Sequence, residues 1–167
     1  AEGLRATPDQ NVVAELDSSF DIAQKFGTYP ELYQNGEYVW RFTTLDISQD
    51  GLAAVGYYLL PDVQVYDVSQ PGHPRIETVE LDHPRFTEPE EPLPMGMPRS
   101  ELQEHAIDLS FVWQTYILSD STVVQVFNNR TEAFYDNQGE GERHHYAILG
   151  TVGSDEQLAL ELPGRVF

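Results

Sequence analysis

Residues 108–128, DLSFVWQTYILSDSTVVQVFN, restrict the fold more than any other stretch. β-Branched and aromatic residues crowd both ends, where they suit a pleated, half-buried surface. Ser119-Asp120-Ser121-Thr122 interrupts them with side chains that bond their own backbone in tight turns. The reading is a β-hairpin tipped by Asp120 and Ser121, with Ile117 opposite Val124 and Thr115 opposite Val126. Trp113, Phe111 and Leu109 carry the same face along the first strand. Cross-strand pairs of this kind contribute about 0.2–1 kcal/mol each. An isolated two-stranded ribbon is marginal in water, so this one is expected at the centre of a core, roofed by other strands.

Upstream, the same two-residue period returns. From Glu37 onward, Tyr38, Trp40 and Phe42 alternate with Val39, Arg41 and Thr43. Asp50-Gly51 is a tight-turn dipeptide, and residues 52–60 form the returning strand. Both faces of that pair carry apolar groups, which predicts cover on each side. Residues 63–68 and 76–81 supply two further strands around the Gln70-Pro71-Gly72-His73-Pro74 turn. Within this region VYDVSQPGHPRI, residues 65–76, resembles a blade segment of propellers built from Asp-Val-Ser-x-Pro-x-x-Pro repeats. The unit occurs once, so the resemblance implies a strand-turn-strand solution and no function.

Three other segments complete the plan. Thr7-Pro8-Asp9-Gln10 has the order of a helix start, and Val12, Val13, Leu16, Phe20, Ile22, Ala23 and Phe26 offer a stripe that Gly27 would end. This predicts a helical N-terminal segment over residues 1–27. Residues 83–99 carry Pro84, Pro89, Pro92, Pro94 and Pro98, which lack the ladder donor and so exclude a central strand. They read as a Pro/Glu-rich crossover loop between two halves of a sheet, followed by a helical turn over 100–105. Residues 132–136 read as a short strand, and 143–149 with 156–162 as a last hairpin whose Leu158, Leu160 and Leu162 share one face. The sum is one mainly β domain over residues 1–167, an antiparallel sandwich or barrel with a short helical N-terminus. At 167 residues it can bury a full core without staples.

Charge narrows the function. Asp and Glu number 28 against 9 Lys and Arg, a net charge of −19, which repels phosphate backbones and anionic membrane surfaces. Nucleic acid and membrane insertion are therefore not expected. The expected partner is a protein or a small ligand, in a homo- or hetero-oligomer. The chain has no cysteine, which removes disulfides, thiolate metal sites and cysteine nucleophiles. An acidic surface of this kind suits an exported protein or a salt-adapted organism. Export, to the periplasm or the outside, is the first expectation, because the chain starts at Ala1 as a processed product would.

Four groups of residues could carry chemistry or contacts. His144 and His145, with Glu142, Glu140 or His105 as polar companions, could form an acid–base or zinc-like site, although consecutive strand residues point to opposite faces. Asp46, Ser48 and Asp50 place oxygens at positions one, three and five of half a calcium loop. Its twelfth position is Tyr57 instead of Glu, and its flanks read as strands, so the hairpin turn competes with the ion. Tyr29, Tyr33 and Tyr38 make a tyrosine-rich loop, and Glu88, Glu90 and Glu91 an acidic one, both suited to contacting partners. His73 and His83, each before a proline, read as turn residues. Phosphate loops, nucleophile elbows and His-Glu-x-x-His are missing. The leading expectation is a non-catalytic binding or structural module without a cofactor. The alternatives are a small β enzyme using His144 or His145, and a calcium-stabilised exported domain.

Overall fold

The computed structural model describes residues 11–34, 40–90, 97–136 and 143–163. It is mainly β, with three antiparallel sheets, none closed into a barrel. The N-terminal helix is a correction. Thr7 to Gln10 lie outside the described residues, and the stripe after them is a hairpin of β1 (Asn11–Leu16) and β2 (Ile22–Thr28). Asp17 decides this locally, because its Oδ1 accepts the amides of Ser19 at 2.8 Å and Asp21 at 3.1 Å, closing a turn where a helix would continue. Gly27, expected to stop the helix, lies in β2 at φ +76, and a Cβ there would meet Val12 Cγ2 at 2.6 Å.

A short helical turn, α1 (Glu31–Gln34), leads to the first four-stranded sheet. Its strands are β3 (Thr43–Ile47), β4 (Leu52–Tyr57), β5 (Leu60–Asp67) and β6 (Arg75–Val79), in that order. The turn before Gly51 and the turn after Asp67 fall where the sequence places them. α2 (Arg99–Ala106) ends the crossover, and β7 (Ser110–Ile117) and β8 (Thr122–Arg130) form the expected central hairpin. α3 (Glu132–Asp136) is a helical turn instead of a strand, begun by the Phe134 amide bonding Thr131 O at 3.0 Å. β9 (Arg143–Thr151) and β10 (Gln157–Leu162) complete a second sheet of order β10-β9-β8-β7.

The central hairpin differs from expectation by one residue. Its loop is Ser119-Asp120-Ser121, closed by Leu118 and Thr122, with Ser121 left-handed at φ 63 and the Asp120 carboxylate accepting the Thr122 amide. Ile117 therefore faces Val123, and Thr115 faces Gln125. A slip of one residue exchanges the faces of a strand. Val123, Gln125 and Phe127 turn inward, and Val124 and Val126 turn to the other side. A bulge between Val112 and Gln114 makes a second exchange, so Val112 joins the inner face and Trp113 is 44% exposed.

The inner face packs on the first sheet. Val112, Ile117, Val123, Phe127, Tyr146 and Ile148 share one core with Ala54, Val63, Val65 and Val79. The sheets come close at Gly56, where a Cβ would overlap Thr115 Oγ1 and sit 2.6 Å from Thr44 Oγ1, while those two hydroxyls bond at 2.7 Å. The opposite face of β4 and β5 is covered too. Phe26, Tyr33, Val55, Tyr57 and Tyr66 form a second core with Val12 and Val13 of the N-terminal hairpin. Two seams join the sheets through side chains. The Ile117 amide donates to Asp46 at 3.0 Å, and Gln157 bonds both the Glu80 carbonyl and the Asp82 amide, at 2.7 and 2.8 Å. The crossover runs along β7, where Ser110 and Thr87 exchange bonds and Asn129 holds the Arg85 carbonyl.

Candidate functional site

The outer face of the second sheet is where the register slip has consequences. Tyr116, Val124, Leu149 and Leu158 are direct cross-strand neighbours and form one apolar row across all four strands. The next row is Gln114, Val126, Ala147 and Leu160. Tyr116 at one edge and Leu158 and Leu160 at the other are 38%, 54% and 40% exposed, with Val124 and Leu149 half-buried and Val126 and Ala147 buried between them. Scattered exposed apolar residues need no explanation, but contiguous ones mark interaction sites. The third row, Phe111, Asn128, His145 and Leu162, is polar at its centre. Asn128 is buried there with neither side-chain amide atom hydrogen-bonded.

Below that row the sheet turns cationic. Arg130 and Arg143 lie directly opposite each other, an arrangement that repels unless something absorbs the charge. Aromatic faces do so here. Arg130 sits 4.1 Å from the Phe111 ring centre and Arg143 sits 4.2 Å from that of Phe134. Arg130 also donates to the Tyr58 hydroxyl at 2.8 Å. Beside them, Arg143, His144, His145, Glu161, Leu162 and Pro163 line a cleft of about 560 Å³. His144 and His145 point to opposite faces, as strand geometry requires, and His145 is buried. Glu140 and Glu142 lie outside the described residues. The carboxylate that the described residues bring into the cleft is Glu161, from the next strand, and the β9–β10 register is what sets it opposite Tyr146 and beside the histidines. His105 is exposed on α2.

The other expected residues are placed as follows. Asp46 accepts the Ile117 amide and Ser48 Oγ accepts that of Leu52 at 3.1 Å, so both hold backbone, with Asp50 exposed at the turn. Among the described residues no group of three or more acidic or histidine side chains is arranged to hold a metal. Tyr33 is buried in the core, its hydroxyl accepting the Leu59 amide at 3.0 Å, and Tyr29 is half-buried against it. Burial raises the Tyr29 hydroxyl pKa, and burial with neighbouring tyrosines raises that of Tyr57 strongly. Tyr33 is therefore a core residue and Tyr29 is partly buried beside it; Tyr38 lies outside the described residues. Glu88 and Glu90 are exposed and Glu91 lies outside the described residues. Asp62 is pushed up to about 6 by burial, with Glu80 and Glu88 adding negative potential against one backbone hydrogen bond at Leu81.

His73 and His83 do more than turn. Buried His73 bonds Glu15 at 2.7 Å and the Gln70 carbonyl at 3.1 Å, tying the loop to β1. His83 packs on the rings of Phe127 and Tyr146, and desolvation lowers its pKa. No helix among the described residues is long and apolar enough to cross a membrane. No family model, curated protein or solved structure matches the chain.

Proposed function

We propose that the chain is a non-catalytic binding module of a larger exported or salt-adapted assembly. Its two four-stranded sheets act as a single-domain β-sandwich that offers the outer face of β7–β10 to a protein partner. The row Tyr116–Val124–Leu149–Leu158 carries this reading. It continues through four strands, ends on β10, which among the described residues pairs with β9 alone, and is exposed at both ends in a strongly acidic chain. Glu88 and Glu90 add acidic contacts on the crossover, which is anchored to the same sheet. The test titrates candidate partners against the wild type and a Tyr116→Lys, Leu158→Lys variant, alongside a substrate screen. Binding lost in the variant at an unchanged melting temperature supports the module. Turnover without any binding would refute it.

The cleft at His144 and Glu161 supports a second reading, acid–base chemistry on a small substrate. That reading expects His144→Ala and Glu161→Gln each to abolish an activity without lowering the melting temperature. Retained activity in both would remove it.

A further inference from the structure

We propose that β10 takes up an extended segment of a cationic partner by strand addition, an inference that rests on the module reading above. The edges of the two large sheets differ in what meets them among the described residues. The β7 edge gives its Val112 and Ile117 amides to the Tyr58 carbonyl and the Asp46 carboxylate, beside β3. Beside β6, Glu77 takes the Gly153 amide, and Gln157, the first residue of β10, bonds the backbone of Glu80 and Asp82, so the start of β10 is tied to the segment after β6 by a side chain and not by a main-chain ladder. β10 pairs with β9 alone, in an unbroken six-residue register, and among the described residues nothing pairs with its outer side. Edge strands are normally protected by proline, charge or a bulge; QLALEL has no proline, lysine or bulge, and its one charge is Glu161, which would meet a cationic strand favourably.

The side chains define the occupant. Leu158 and Leu160 end the two apolar rows, so a strand laid beside β10 would continue them with apolar residues at alternate positions. Its intervening residues would fall on the side of Glu161, across the seam from Glu80 and Asp82. With a net charge of −19 behind them, those positions favour lysine or arginine. The recognised chemistry is therefore an alternating apolar–cationic strand, held by main-chain ladder bonds and selected by charge.

The test uses the whole protein and three blocked, fluorescently labelled nine-residue peptides. One alternates valine with lysine, one alternates valine with glutamate, and one is the valine–lysine peptide N-methylated at alternate residues. Anisotropy at low salt should show binding of the first alone, weakening as salt rises, with amide shifts at residues 157–162. The Leu158→Lys, Leu160→Lys variant should bind at least tenfold more weakly, and Ile47→Lys, on the distant β3, should match the wild type. Equal binding of the N-methylated peptide would overturn strand addition. Self-association of the wild type, abolished by the double variant and with no peptide bound, would assign the edge to a second copy instead. Undiminished binding in the double variant would remove β10 and leave the module standing. No binding in any arm, with turnover abolished by His144→Ala, would remove the module itself.

Discussion

Gly56→Ala tests how closely the two large sheets approach. A methyl group there would overlap Thr115 Oγ1, lie 2.6 Å from Thr44 Oγ1 and 3.1 Å from Thr115 Cβ. Forcing an extra carbon into a filled contact costs about 1–3 kcal/mol. Parting the 2.7 Å Thr44–Thr115 hydroxyl pair adds about 1 kcal/mol. Alanine recovers about 0.4–1 kcal/mol by restricting the unfolded chain. The net expectation is a loss of about 2–3 kcal/mol in urea unfolding at constant m-value. In a Thr115→Ala background the overlapping Thr115 oxygen and its hydroxyl pair are gone, and the contacts with Thr44 Oγ1 and the residue 115 Cβ remain. The same glycine substitution should then cost at least about 1 kcal/mol less, a coupling of the size seen between touching residues. Additive costs, or a loss under about 0.5 kcal/mol in the single variant, would mean that β4 and β7 do not meet there.

Other consequences follow from single contacts. Asp62 is held at about 6 against an ordinary 3.8, so the native state binds more protons between those values and stability falls as pH climbs through the window. The full shift corresponds to about 3 kcal/mol, which solvent screening at this partly exposed group reduces to about 1. Asp62→Asn should flatten that part of the pH–stability curve, and an unchanged slope would refute the assignment. Asp46→Ala removes the acceptor for the Ile117 amide and should cost about 1–3 kcal/mol. Chelator should leave the wild-type melting temperature unchanged, whereas a fall restored by calcium would return the Asp46–Asp50 turn to the cation reading. Phe127→Ala empties a position packed by His83, Phe86 and Tyr146 and should cost about 3–5 kcal/mol; a loss below about 1.5 would contradict the shared core.

Local chemistry made much of the fold readable. Turn signals located β4 and β5, although 52–60 reads as one strand, whereas β4 ends at Tyr57 and β5 starts at Leu60. Alternation located β10, and proline kept 83–90 out of the sheets, while the alternation at Trp40 and Phe42 lies before β3. The misses share a cause, which is that one backbone residue in an unusual conformation reassigns a whole face. Ser121 in the left-handed region lengthened a two-residue loop to three, and the bulge at Trp113 shifted the partner strand again. Val124 was therefore read as core, although it belongs to the outer row. The N-terminal stripe fitted a helical period, yet the Asp17 turn and the approach of Gly27 to Val12 favour a hairpin on the first sheet. Tyr33 looked like a loop contact because composition does not reveal burial, and Glu161 was invisible as a neighbour of the histidine strand until the register was fixed. Leu158 and Leu160 were read correctly as one face, but their alternation carries no sign of which side is solvent.

The account rests on the side to which Val124 points. A methyl- and aromatic-resolved nuclear Overhauser spectrum decides it. Val124 should show contacts to Tyr116 and Leu149, Leu149 to Leu158, and Ile117 to Val123. Cross-peaks from Val124 to Val63 or Val65 would place it in the core and contradict the outer row, the open edge and the function drawn from them.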